Sequence, residues 1–512
     1  MSASSDTRPT PAQIKSVREY IKDSWVTLRR SHDHLLDSAK DEKLAHKPGD
    51  PWIVYISPRE DCPEVQQVLE KSLSKEDLKQ ISILRLPAEP EAIRKHGLLY
   101  LPGDYVVPGG RFNEMYGWDS YFIVLGLLRD GEVDLAQSLV DQALYQVGHY
   151  GTILNSNRTY MLQRSQPPVL SLMVLAVYEV TQDRDWLSSA VPLLEQFYYF
   201  WVVPPHLNPG TGLSRYYALG DGPSPEVLFS ERDEEGRNHY DRVKTYYQTF
   251  SFDDYDMSLY YDEEANELTA LFYKGDRSMR ESGFDITNRF GPFSIDILHY
   301  APVCLNSLLY GMERDMAKIR RIMGKEELAQ QWEDRAVERQ GRADRYLWDD
   351  EAGLYFDYNL QTSRRRHYEF AATFYPLWLG MSSPEQARRV ADNLDRFEAP
   401  GGILASTYVT GNQWDAPFGW APLNWIAVEG LRRYGHYEAS ERIARKFLTM
   451  VIDEFEKRGT LLEKYDVMRR SGNVSDEIRF GYSSNEIGFG WTNAVVLEFL
   501  DVLAEKADQT AA

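Results

Sequence analysis

From Tyr100 onward one pattern recurs along the chain. Apolar residues stand three and four apart over several helical turns, and loops rich in Gly, Pro and aromatic residues separate these stretches. Leu135, Leu139, Val140, Ala143, Leu144 and Val147 share one face of such a stretch, and Leu305, Leu308, Leu309, Met312, Met316 and Ile319 share another. That spacing puts the side chains on a single stripe of an α-helix, which must be buried against a neighbour. The stretches PVLSLMVLAVYEV, AVPLLEQFYYFW, PLNWIAVEGLRRYG and TNAVVLEFLDVLAEK read the same way. Strand-like pieces, PWIVYIS and ISILRLP, are confined to the first hundred residues and are too few for a main sheet. The expected class is all-α, with roughly a dozen helices in a toroid of hairpins or a solenoid. No fixed period is visible, which disfavours a repeat solenoid. The expected organisation is a disordered polar N-terminus (1–12), a mixed region (13–99) and a helical catalytic domain (100–507).

Composition narrows the partners. The net charge of −21 repels polyphosphates, and the one basic run, Arg364–Arg366, is short, so nucleic acid is not an expected partner. Two distant cysteines, Cys62 and Cys304, build neither a disulfide framework nor a thiolate zinc site. The ten His are scattered without metal-ligand spacing, so no metal is expected. No apolar run approaches the roughly 20 residues that span a bilayer. The N-terminus MSASSDTRPTPAQ has no apolar signal core, so a cytoplasmic protein without a membrane partner is expected.

The loops carry the unusual chemistry. PGGRFNEMYGWDSYF (108–122) holds a Gly pair, Arg111, Glu114, Asp119 and five aromatic rings. NSNRTYMLQRSQPP, GPSPEV, ESGFDITNRF, TGNQWDAPFGWAPLNW, EKYD and GFGWTN use the same vocabulary. Rings pack on the C–H faces of sugars, while carboxylates, amides and guanidinium groups satisfy hydroxyls. A small neutral carbohydrate therefore fits better than an apolar or phosphorylated ligand. Taken singly, each residue has a plainer reading: a Trp in the core, Asp119 at a helix start, Arg111 or Arg164 in a surface ion pair. The shared vocabulary of the loops carries the case.

Cleavage of a glycosidic bond needs one protonated and one ionised carboxyl group on opposite sides of that bond. Asp285 follows Gly283, which lets backbone approach a ligand, and Phe284, which excludes water. Glu463 follows an apolar pair and precedes an aromatic. Glu281 and Asp466 are rivals on composition alone.

PGGRFNEMYGWDSYF resembles the first signature of trehalases, glycoside hydrolase family 37. QWDAPFGWAP resembles their second signature, and ESGFD and EKYD resemble the segments that carry the catalytic acid and base. The likeness runs from about Tyr100 to about Ala504 in the family's order. It implies an (α/α)6 barrel and an inverting hydrolysis that uses no cofactor. It also implies Asp285 as general acid and Glu463 as general base. Arg111, Trp118, Asp119, Asn155, Arg164, Ser165 and Gln166 match positions that hold the sugar. Glu226, Gln413, Trp414, Trp420 and Tyr482 are expected to line the same pocket.

Three departures bear on the second sugar. The family's Arg-Pro-Glu-Ser run reads SPEV here, with Ser224 in place of Arg. Tyr482 stands where a Glu is usual, and Glu486 restores a carboxylate only with a shift of register. A longer insertion, LFSERDEEGRNHYDRVKTYYQTFSFDDYD, precedes Asp285. Unmatched buried polar partners cost roughly 1–3 kcal/mol each, enough to alter substrate preference. Trehalose is the first expected substrate; glucosylglycerol, glucosylglycerate or mannosylglycerate is the alternative. A sensor that binds sugar without cleaving it is disfavoured by the retained Asp285 and Glu463.

Overall fold

The computed structural model describes residues 8–44, 46–228, 232–233, 235–250, 255–474, 478–482 and 484–511, with side chains through Ala504. The first helix, α1 (Pro11–Leu28), starts inside the stretch read as disordered. The reason is a capping box: Thr10 accepts from the Gln13 amide, the Gln13 side chain accepts from the Thr10 amide, and Pro11 supplies a pre-set first position. Residues 1–7 lie outside the described residues. A small parallel sheet follows, built from β1 (Trp52–Ile56), β2 (Ile81–Arg85) and β3 (Leu98–Leu99) in the order β2-β1-β3. With α2 (Cys62–Ser72) it buries its own core around Leu35, Val54, Ile56 and Leu69.

The remainder is helical hairpins. In chain order they are α3 (Asp119–Arg129), α4 (Val133–Tyr150), α5 (Leu170–Thr181), α6 (Arg184–Trp201), α7 (His239–Thr249), α8 (Ala270–Glu281), α9 (Val303–Ile322), α10 (Glu326–Tyr346), α11 (Tyr375–Trp378), α12 (Pro384–Asp392), α13 (Ala421–Arg433), α14 (Tyr437–Arg458) and α15 (Gly490–Ala511). Helices α3, α5, α9, α11, α13 and α15 pack each against the next, and α15 returns to α3, so the ring closes. Helices α4, α6, α10 and α14 pack outside as the return arms of hairpins with α3, α5, α9 and α13. This is the (α/α)6 barrel. Its outer ring takes a member from the far end of the chain: α1 packs on α15 and α14, burying Val17, Ile21, Trp25 and Leu28. The Trp25 indole donates to Asp130, just past α3 (2.7 Å).

A buried charge network ties the N-terminal region to the ring. Arg158 is fully buried and donates to Glu114 (2.8 Å) and to the carbonyls of Ser38 (2.8 Å), Ala39 (3.0 Å) and Lys40 (2.8 Å). Lys43 pairs with the same Glu114 at 2.9 Å. Among the described residues no helix is long and apolar enough to cross a membrane.

Candidate active site

A cavity of about 450 Å³ is walled by the loops and helix ends that join the ring. The loop before α3 supplies Arg111, Trp118 and Asp119. Gly110 has a φ of +53° and faces Glu486, whose side chain occupies the space that a Cβ would need. Glu486 accepts from the Arg111 amide (3.0 Å) and lies 3.4 Å from its guanidinium, which covers the Tyr482 ring at 4.7 Å. The rings pack mainly on one another: Trp414 stacks on Trp420 at 3.8 Å, and Trp118 lies 6.0 Å from Trp414 and 5.7 Å from Trp491.

Asp285 hangs from the end of α8. The helix stops at Glu281, and Gly283, with a φ of +77°, turns the chain beneath Trp118. A third of the Asp285 side chain faces the cavity (34 %), yet the cavity is deep enough that surrounding protein pushes its pKa up to about 6. Burial dominates; Arg280 and Arg164 oppose it, and Glu463 adds to it. The Arg280 guanidinium bridges Asp276 (3.1 Å) and Asp285 (3.6 Å).

Glu463 is placed by strand pairing. Strand β4 (Phe418–Trp420) runs antiparallel to β5 (Lys464–Asp466), with Trp420 opposite Lys464, so Glu463 emerges beside the tryptophans. It is 1 % exposed. Its amide donates to the Glu486 carbonyl (2.9 Å), and its carbonyl accepts from the Trp491 indole (3.0 Å). The Tyr482 hydroxyl donates to Oε1. Oε2 has no hydrogen bond within the protein and lies 3.5 Å from the Lys464 ammonium. That ammonium donates to Gln413 Oε1 (3.0 Å) and sits 3.8 Å from the centre of the Tyr482 ring. Burial raises the Glu463 pKa, while Lys464 and Tyr482 restrain the rise. Asp119 is pushed further, to about 8, by burial, with Glu463 and Asp285 adding repulsion.

Asn155, Arg164, Gln166 and Glu226 complete the polar wall. Arg164 pairs with Glu226 at 2.6 Å and reaches the Ser224 hydroxyl at 3.3 Å. Asn155 donates to the Arg280 carbonyl (3.2 Å), and Gln166 accepts from the Trp118 amide (2.8 Å). Gln413 also donates to the Asp285 carbonyl.

Ser165, expected in this wall, lies behind it. Its amide donates to Glu281 (3.1 Å) and its hydroxyl to the Ile153 carbonyl (2.6 Å). Arg164 and Gln166 line the cavity, while the Ser165 side chain turns to the Ile153 carbonyl behind it. The rival carboxylates are also spent elsewhere. Glu281 accepts from the amides of Ser165 and Tyr217 (2.8 Å), and Asp466 accepts from that of Arg469 (2.8 Å). Neither lines the cavity. Residues that sequence reasoning missed are Lys43, His239, Arg242 and Arg280, which line the cavity, and Lys464 behind Glu463. The available signal for Arg280 was a cation directly before ESGFD; Lys43 and His239 had none.

The family model for trehalase matches residues 12–504. The cytosolic neutral trehalase of Neurospora crassa is 36% identical, covering 96% of this chain and 73% of that protein. The solved structure of the neutral trehalase Nth1 from Saccharomyces cerevisiae superposes with a TM-score of 0.79 at 33% identity, over 96% of this chain and 94% of that one. A family 63 mannosylglycerate hydrolase from Thermus thermophilus shares the fold at 20% identity, with a TM-score of 0.53 over 78% of this chain and 96% of that one. The barrel and its matches define a glycoside hydrolase of the helical-toroid class. The chain belongs to the trehalase family.

Proposed function

We propose that this protein hydrolyses trehalose to two glucose molecules, with inversion, in the cytosol. One observation carries the reading: of the four candidate carboxylates, Asp285 and Glu463 face a common sugar-sized cavity while Glu281 and Asp466 are engaged behind it. The named activity and location of the neutral trehalases support the substrate and compartment. Asp285, with its raised pKa, protonates the leaving oxygen as the C1–O bond breaks. Glu463 takes the proton of a water that attacks C1 from the opposite face. Trp118, Asp119, Arg111 and Gln166 hold the sugar that is cleaved. The ionised base stabilises the developing oxocarbenium charge.

Glucose release from trehalose tests the substrate. Asp285→Asn and Glu463→Gln are expected to lower kcat by roughly 100-fold or more. Proton NMR of fresh product is expected to show one β-glucose and one α-glucose per trehalose; only α-glucose would overturn inversion. Ser224, in place of an arginine, favours one second reading, a small osmolyte glycoside. Turnover of glucosylglycerol or glucosylglycerate without turnover of trehalose would select it.

A further inference from the structure

The segment 228–256, which contains α7, is explained by neither the barrel nor the catalytic pair. Two α7 side chains, His239 and Arg242, form part of the cavity wall. His239 is 5 % exposed, and its Nε2 has no hydrogen bond within the protein. Burial, helped by the Arg280 charge, lowers its pKa to about 3, so the ring is neutral and offers one N–H and one lone pair. Arg242 Nε is likewise buried without a partner. In the same wall, Arg164 Nε and Glu226 Oε2 are unmatched too.

These atoms gather on the acid's side of the cavity. Tyr240, next to His239, donates to Asp276 (2.8 Å), and Asp276 pairs with Arg280, which lies 3.6 Å from Asp285. The acid delivers its proton to the leaving group, so what stands beside it meets that group and not the sugar being cleaved. Ser224 contributes nothing there, being fully buried and bonded to Arg164. Unmatched buried donors and acceptors are costly unless a ligand completes them. An imidazole, a carboxylate oxygen and guanidinium N–H groups together complement a ring of hydroxyls, each both donor and acceptor. An apolar leaving group would leave all of them unmatched.

We propose that His239 and Arg242 bind the leaving sugar, so that the inserted helix α7 sets the choice of aglycone. The inference rests on the trehalose reading above. It is tested with the full chain on two substrates, trehalose and α-D-glucosyl fluoride, whose leaving group carries no sugar. In His239→Phe and Arg242→Met, the ratio of kcat/KM for trehalose to that for the fluoride is expected to fall roughly 10–100-fold. His239→Gln, which retains a donor and an acceptor, is expected to recover part of the loss. Fluoride turnover reports that each variant has folded. A wild type that cleaves trehalose, with an unchanged ratio in both variants, would overturn this inference alone. A wild type that cleaves the fluoride and not trehalose would overturn the trehalose reading and this inference with it.

Discussion

Glu463 presents its two oxygens to different neighbours. Oε1 is occupied by the Tyr482 hydroxyl, and Oε2 is free of hydrogen bonds within the protein. On the proposed mechanism, one oxygen is held in orientation and the other is left to take the water's proton. Tyr482 thus reaches Glu463, the proposed base, through a phenol, at a position where the family pattern has a carboxylate. In Tyr482→Phe the donor to Glu463 is gone and the ionised form is less stabilised, so the Glu463 pKa rises. The acid limb of the kcat/KM profile is expected to move to higher pH. The alkaline limb, which the proposed acid Asp285 would set near pH 6, is expected to stay in place. At the optimum the loss is roughly 2–10-fold, the worth of one hydrogen bond. An unmoved acid limb would show that Tyr482 does not act on the base.

At the scale of elements, the end of α8 is the most constrained stretch of the site. A Cβ at Gly283 would stand 3.0 Å from the Trp118 indole nitrogen, on a backbone with a φ of +77°. Gly283→Ala is therefore expected to destabilise the fold by roughly 1–3 kcal/mol and to displace Asp285, which denaturant unfolding and kcat would register together. This stretch also shows what was legible in sequence. ESGFD, EKYD and the tryptophan-rich loops announce their chemistry because residue types and order are local properties. The helices were legible because their periodicity is local too. Ser165 misled because facing depends on the local backbone path. Lys464 was printed beside Glu463, yet its role depends on a strand pairing that folds its ammonium back over Tyr482. His239 and Lys43 reach the cavity from segments 46 residues before Asp285 and 71 before Glu114, distances that only tertiary packing removes.

At the scale of the whole molecule, Arg158 joins the N-terminal region to the barrel. Burial alone would raise the Glu114 pKa, but Lys43 and Arg158 overcome it and hold it at about 2. A folded pKa below the ordinary 4.5 contributes stability that is present above that value and lost as pH falls from 4.5 towards 2. Arg158→Met leaves Glu114 with Lys43 and the Asn113 amide and removes the guanidinium from three backbone carbonyls. Denaturant titration is expected to show a loss of about 3–5 kcal/mol at neutral pH. The variant's stability should also fall less steeply between pH 4.5 and 2. Equal stability of variant and wild type would show that the network is not what joins the two regions.

The closure of the ring by α15 against α3, with α1 laid over both α15 and α14, also sets a timetable. While the chain is being made, α3 lacks α15 until about 360 further residues have left the ribosome, and α1 lacks α14 and α15 for more than 400. The face of Ile123 that meets Gly490 at the start of α15 must wait through nearly the whole of synthesis. Nascent chains stalled before Gly490 are therefore expected to expose this face and to be cut readily by protease within α1 and α3. Chains released with α15 complete should resist. Early resistance in the stalled chains would mean that the open ring is already a stable intermediate.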